Sequence, residues 1–543
     1  TISDFAGLAL LLGIIMAAFR RLVLRPKYLE SRWDDFYALT ILALIPIMGY
    51  INEALRITTT NPEWALRSPI GNLVAGWLQT WGLTAQGASD LHLPFVVLHA
   101  IVGLGFIASI PFTKLRHLIV TPINILSRPR RNSGELDTIE DIDNAEILGA
   151  GSIEEFESWQ LLSFDACLRC GRCEDACPAN AVGMKYSPRE LIQTLRDTMQ
   201  ASLVTPLSSN GHNGNQPDIF GDEYSWSCTT CGACAAECPA FVNPVEEIIS
   251  LRRYQVLSTG KMPKTVGETL RNMERQGNPW GLPPQEKTKW ASGINLPIAN
   301  PEEKIEVMLF FGCAMAFDER NKKIARTIVN LFEQLGVNFA SLDMDEGCCG
   351  ETARRMGHEY LFQVMAEQNI EIFHEYQFEK IVTPCPHCYN TIKNEYPKFG
   401  GDFHIEHLSE FLEDKFKGEP LPVKNGQKAT YHDPCYLGRY NQVYQSPREL
   451  LKKTTLNSVE MKHKKEDSFC CGGGGGQMWL ETDAETRINH HRLEEAVDTD
   501  AELILTACPY CLTMFEDAIG AKGLQEKIRV LDISEALVRE RIK

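Results

Sequence analysis

Eighteen cysteines govern what this chain can fold into: all of them fall after residue 166, and they come in tight groups, not scattered pairs. Grouping of this kind argues against a secreted disulfide framework and for metal ligation under reducing conditions. Eight of them form two copies of C-x2-C-x2-C-x3-C-P, namely Cys167, Cys170, Cys173, Cys177-Pro178 and Cys228, Cys231, Cys234, Cys238-Pro239. Three thiolates in tight turns can face three corners of one iron–sulfur cubane, while the outgoing chain carries the fourth to the other cluster. The expected sets are therefore Cys167, Cys170, Cys173 and Cys238 for cubane one, and Cys228, Cys231, Cys234 and Cys177 for cubane two. Zinc is the competing metal, but its structural sites usually pair C-x2-C halves.

The other ten cysteines are an internal repeat. Cys313, Cys348-Cys349 and Cys385-x2-Cys388 recur as Cys435, Cys470-Cys471 and Cys508-x2-Cys511, displaced by 122 residues at the first three positions and by 123 at the last two. Apolar runs Lys304–Phe311, Lys380–Thr383 and Leu503–Thr506 predict buried strands that deliver cysteines at their ends, with helices such as Lys323–Leu335 between them. Each half is expected to be an α/β unit with its ligands at the carboxyl ends of the strands. Ser187-Pro188-Arg189-Glu190 and Asn243-Pro244-Val245-Glu246 predict a helix after each four-cysteine motif, and Gly260 is a plausible stop for the second. The Ser-, Asn-, Gly- and Pro-rich 204–222 segment reads as a loop. Gly472–Gly476 would either let backbone amides approach cluster sulfurs or act as a flexible linker. His387 and His432 either tune and protonate the site or satisfy local hydrogen bonds.

Upstream the chain changes character. Residues 1–131 carry 12 Lys and Arg against 7 Asp and Glu, whereas residues 132–543 carry 42 against 64. The acidic body excludes nucleic acid as the partner, since phosphate binding needs a positive surface. Three apolar stretches, Phe5–Phe19, Phe36–Leu55 and Leu93–Phe112, predict membrane spans. Basic residues follow the first (Arg20, Arg21, Arg25, Lys27, Arg32) and the third (Lys114, Arg116, Arg128, Arg130, Arg131), whereas the 56–91 loop holds only Arg56 and Arg67. The positive-inside rule then puts both basic ends, and the body, on the cytoplasmic side. The charges follow the first run, which disfavours a signal peptide. His99 and His117 are 18 residues apart, five turns or roughly 27 Å along one continuous helix, and neutral imidazole is a haem axial ligand. His92 is a weaker candidate at the outer boundary. Residues 119–160 show no period and read as a tether.

Three resemblances sharpen this picture. The head is similar to the last three helices of the respiratory nitrate reductase gamma subunit, which implies haem b, two copies in that family, with His99 and His117 as axial ligands. No histidine precedes His92, so the partner ligands are expected from an upstream segment or another subunit. The eight-cysteine module resembles the α-helical ferredoxin of respiratory iron–sulfur subunits. Both repeats, through Cys348-Cys349-Gly350 and Cys470-Cys471-Gly472, resemble the CCG domain of heterodisulfide reductase catalytic subunits. That resemblance implies a noncubane [4Fe–4S] cluster in each: one on Cys313, Cys348, Cys349, Cys385 and Cys388, the other on Cys435, Cys470, Cys471, Cys508 and Cys511. The expected organisation is a transmembrane haem b-type head (1–118), a linker (119–160), an all-α two-cluster ferredoxin (161–300) and two α/β CCG domains (301–420 and 421–543).

No G-x-G-x-x-G follows a predicted strand; Gly149-Ala150-Gly151 lacks the remaining glycine, so flavin or nicotinamide is expected from a partner. As a whole the chain resembles the bacterial membrane-bound electron-transfer-flavoprotein:menaquinone oxidoreductases. That implies passage of electrons from a flavoprotein through two noncubane and two cubane clusters and haem b to menaquinone at the cytoplasmic membrane. A heterodisulfide-type reductase acting on a small-molecule disulfide, and a non-catalytic relay subunit, are the alternatives.

Overall fold

The computed structural model describes residues 2–26, 28–204, 224–419, 426–481, 485 and 487–541. From residue 205 on, the loop expected over 204–222 lies outside them, as do Lys27 and the expected domain boundary at 420–421. Contacts divide the chain into two units: Thr1–Ser127 with Asp165–Gly171, and Arg128–Phe164 with Arg172–Lys543.

The first unit holds three helices long and apolar enough to cross a membrane, Ile2–Leu24, Trp33–Thr60 and Ala85–Phe112. The 56–91 stretch is not simply a loop: Pro69–Thr80 is a helix started by its own Pro at the first position. Its Ala75 packs with Ala54, Ile57 and Ala65, and the three alanines let backbones approach while leaving little hydropathy signal in the sequence. A second correction concerns the histidines. After Ser109 the chain makes two tight turns, Ile110–Phe112 and Lys114–Arg116, with Thr113 extended between them, and His117 opens a separate helix, His117–Ser127. Pro111 has no amide hydrogen with which to continue the helix. His99 and His117 therefore do not lie five turns apart on one helix.

In the second unit the helices expected after the cysteine motifs are Pro188–Val204 and Pro244–Arg253. Ser187 Oγ accepts from the Glu190 amide and Asn243 Oδ1 from the Val245 amide. Each repeat forms a four-stranded parallel sheet: β1 (Lys304–Leu309), β2 (Phe339–Ala340), β3 (Gln377–Thr383) and β4 (Ile405–His407) in the order β2-β1-β3-β4, then β5 (Lys428–Tyr431), β6 (Asn457–Val459), β7 (Leu503–Thr506) and β8 (Arg529–Asp532) in the order β6-β5-β7-β8. Strands covered on both faces need continuous apolar sequence, and all four residues of β7 are buried. The sheet order reverses direction between β1 and β3, and between β5 and β7. Open α/β sheets place their binding crevice at such a switch point, outside the carboxyl ends of the strands, and Cys313, Cys385, Cys435 and Cys508 follow those four strands.

The 128–157 part of the expected tether is instead laid along the second unit. Leu136, Ala150, Ile153 and Phe156 are buried. Arg355 donates to the Gly134 carbonyl at 2.9 Å, Arg354 to that of Asp137 at 3.0 Å and Gln363 to that of Ile139 at 2.9 Å. A segment of turns and irregular chain held by its carbonyls has no hydrophobic period to show.

Candidate metal centres

In the first repeat, Gly312 adopts φ +72°, and a Cβ on it would come within 2.8 Å of Cys388 Sγ. Only glycine allows the turn after β1 to crowd the sulfurs so closely. Cys348 Sγ lies 3.6 Å from Cys313 Sγ, Cys349 contacts both Cys348 and Cys388, and Cys388 contacts Cys385. The five sulfurs thus make one continuous group. In the second repeat Cys435 meets Cys470, Cys470 meets Cys471, and Cys511 meets both Cys471 and Cys508. All ten are buried and, like the other eight, are free of disulfides. Burial pushes the Cys511 thiol far above its usual range; a bound metal removes the proton and supplies the missing partner. This donor set fits an iron–sulfur cluster in each repeat.

Cys177 is brought to Cys228, Cys231 and Cys234 around a small enclosed cavity also lined by Tyr186, the grouping expected for cubane two. Burial raises both Cys177 and Cys234. Of the set expected for cubane one, Cys167 and Cys170 belong to the first unit, and Cys173 and Cys238 to the second. Within the first unit, the turn bearing Cys167 and Cys170 is held to the helical head. Arg169, between the two cysteines, pairs with Asp34, and Arg116 pairs with Asp165 at 3.2 Å. Gly171, at φ +79°, sits directly on the Tyr28 carbonyl.

The two kinds of centre touch in the second unit. Cys231 packs in one buried cluster with Cys435, Tyr436 and Cys470. Around that contact Arg439 donates to the Cys231 carbonyl at 2.9 Å, Tyr440 to that of Thr230 at 2.5 Å, and the Tyr436 hydroxyl meets Thr230 Oγ1 at 2.9 Å. The glycine run has a role the sequence did not disclose. A Cβ on Gly474 would lie 2.7 Å from the Thr229 carbonyl oxygen and one on Gly475 2.7 Å from that of Cys228, so these glycines let the two cysteine loops abut.

Both histidines singled out from the sequence are at the second repeat's sulfurs. His432 lies with Cys471 and Cys511, one ligand atom of each falling within 4.8 Å of the others. His387, although part of the first repeat, hydrogen-bonds Cys508 of the second, while its Nδ1 faces Glu351 Oε1 at 3.0 Å. Its ring lies between those of Tyr436 and Tyr510, at centroid distances of 4.0 and 4.7 Å. Glu351, Tyr436, Arg439 and Arg252 were not found from the sequence; aligning the two repeats by their cysteines and asking where they differ would have drawn out the first three.

In the head, His117 Nδ1 contacts the Lys114 carbonyl at 2.6 Å, which leaves Nε2 as the free nitrogen. This is the arrangement in which a ligating imidazole is oriented by its other nitrogen. His99 Nδ1 is buried with no hydrogen-bond partner among the described residues. His92 lines a cavity with Tyr50, Glu53, Arg56 and Trp64.

A head of helices long and apolar enough to cross a membrane, two cubane-type motifs and twin buried five-cysteine centres define a membrane-associated iron–sulfur oxidoreductase. The sequence profile of the Cysteine-rich domain family matches residues 307–393 and 429–516, that of the 4Fe-4S dicluster domain matches 166–242, and the nitrate reductase gamma profile matches 1–132. The EtfAB:quinone oxidoreductase of Syntrophomonas wolfei is 34% identical over 98% of this chain and 81% of its own length, and the probable iron-sulfur-binding oxidoreductase FadF of Bacillus subtilis 35% identical over the same shares. A component of the dihydromethanophenazine:CoB–CoM heterodisulfide reductase of Methanosarcina acetivorans is 30% identical over 69% of the chain and 93% of its own length. The chain belongs to this family of CCG-domain iron–sulfur oxidoreductases.

Proposed function

We propose that the chain carries electrons from a reduced flavoprotein of the electron-transfer-flavoprotein type to menaquinone at the cytoplasmic membrane, with the iron–sulfur body on the cytoplasmic side. In this reading Cys313, Cys348, Cys349, Cys385 and Cys388, and Cys435, Cys470, Cys471, Cys508 and Cys511, each hold a noncubane [4Fe–4S] cluster. Cys167, Cys170, Cys173 and Cys238 hold one cubane, and Cys228, Cys231, Cys234 and Cys177 the other. His99 and His117 ligate haem b, their partners coming from an upstream segment or another subunit. The clusters and haem, when bound, supply one-electron storage; the protein's part is to space them, exclude water and set their potentials.

The observation that carries the reading is the contact between Cys231 and Cys470, because it joins the soluble, cysteine-repeat end to the ferredoxin module without a gap. Support at the other end comes from the salt bridges that seat the Cys167–Cys170 turn on the helical head, and from the relative named as an EtfAB:quinone oxidoreductase. The test is reduction of a menaquinone analogue by purified protein supplied with reduced electron-transfer flavoprotein. Flavoprotein-dependent turnover is expected. Turnover of a small-molecule disulfide without flavoprotein would replace this reading with that of a heterodisulfide-type reductase, and turnover of neither would leave a relay subunit.

A further inference from the structure

We propose that the two cysteine repeats are electrically unequal, and that His432 and His387 make the second repeat's centre the one on which an electron rests before it passes Cys231. The inference depends on the cluster assignment above and adds to it an order of potentials and the residues that set it.

Alignment of the repeats by their cysteines supplies the comparison. His432 stands three residues before Cys435; the same place before Cys313 is Phe310, whose ring offers no hydrogen bond. The tautomer of His432 is fixed by a neighbour: Arg492 Nε, which can only donate, points at Nδ1 from 3.1 Å. The single proton of the neutral ring is then on Nε2. That nitrogen is buried and has no protein partner among the described residues, and a nitrogen of the same ring lies within 4.8 Å of the Cys471 and Cys511 sulfurs. With Nδ1 accepting from Arg492, the ring beside those sulfurs is a neutral N–H donor, not an iron ligand.

His387 adds a second donor from across the repeat boundary, onto Cys508. Its counterpart, between Cys508 and Cys511, is Tyr510, whose hydroxyl meets Thr352 at 3.3 Å. Arg439, beside Cys435 and Cys470, has Phe317 as its counterpart. The carboxylate of Glu351, two residues past Cys349, has Gly473. The first repeat's own arginines are matched by acids, Arg354 by Glu359 and Glu395, Arg355 by Glu395. Reduction adds one negative charge to a centre and makes or breaks no bond in the protein. N–H donors and unmatched positive charge stabilise the reduced form, whereas a carboxylate opposes it. The differences at His432, His387, Arg439 and Glu351 point the same way, while Asp433, whose counterpart is Phe311, is matched by Arg448 at 2.7 Å.

The experiment is a redox titration of the full, iron-loaded chain in detergent, followed by electron paramagnetic resonance. Two noncubane signals with different midpoints are expected. His432→Leu and His387→Leu should each lower the midpoint of the same centre, the higher one, by about tenfold in its reduced-to-oxidised ratio, ~59 mV for one electron. His432→Gln, which keeps an N–H donor, should recover most of the shift, a rescue that no packing role predicts. The cubane midpoints should not move. If wild-type noncubane signals are present and neither substitution moves one, or the two move different centres, the inference is overturned while the cluster assignment stands. If the wild type shows no noncubane signal, the assignment itself falls.

Discussion

Arg252 is fully buried, yet no pattern in the sequence announces it. In the helix Pro244–Arg253 the apolar Ile248 and Ile249 are legible as an inward face, and Arg252-Arg253 reads as the basic end that helix dipoles favour. The guanidinium instead donates to four carbonyls, those of Ser225, Cys228, Arg355 and Gly475, at 2.7–3.1 Å. Its partners lie up to 223 residues away, so only the folded chain shows them. Charged hydrogen bonds in a dry interior are costly to break. Arg252→Met is expected to lower stability by about 3–5 kcal/mol, read from thermal unfolding of the iron-loaded chain. Asp532 makes a different kind of prediction. Burial raises its pKa to about 7, above the unfolded value of about 3.9. The folded protein therefore holds one more proton than the unfolded chain between those limits. The stability contributed by Asp532 is complete below about pH 4 and is lost as pH rises towards 7. Asp532→Asn should remove that slope from the wild-type pH–stability curve.

At the scale of elements, strands delivering cysteines were the most legible part. Leu503–Thr506 is β7 as expected, and the helix predicted over Lys323–Leu335 is found as Glu319–Gln334, with Leu335 at its carboxyl cap. What defeated the sequence were features whose meaning is relational. The single-helix placement of His99 and His117 gave way at Pro111, and the 128–157 segment is ordered by arginines from other elements. The Gly472–Gly476 run announced amides at the sulfurs, and the Gly472 amide does donate to Cys470 Sγ at 3.3 Å, but it did not announce the ferredoxin loop. Its contact with the Thr229 and Cys228 carbonyls leads to a sharp expectation. Gly475→Ala adds a Cβ against backbone at φ +62° and should cost about 1–3 kcal/mol. The loops would move apart, and magnetic broadening between the Cys231 and Cys470 centres should weaken in electron paramagnetic resonance spectra of the reduced protein.

For the whole molecule, the proposed assignment carries a stoichiometry. Four [4Fe–4S] centres would require sixteen non-haem irons, with the proposed haem b in addition, and metal analysis of the purified chain checks this directly. Because so many thiols sit where water cannot reach them, iron and folding are coupled. Removing iron with a chelator under reducing conditions is expected to abolish the cooperative thermal transition of the cysteine repeats, and reloading iron and sulfide should restore it.

The run of glycines also gives the duplication a front and a back. A chimera carrying two copies of residues 301–420 would keep ten cysteines in register yet present Glu351, Thr352 and Ala353 where the ferredoxin loop needs bare backbone. One half serves as the socket, so the halves cannot be interchanged.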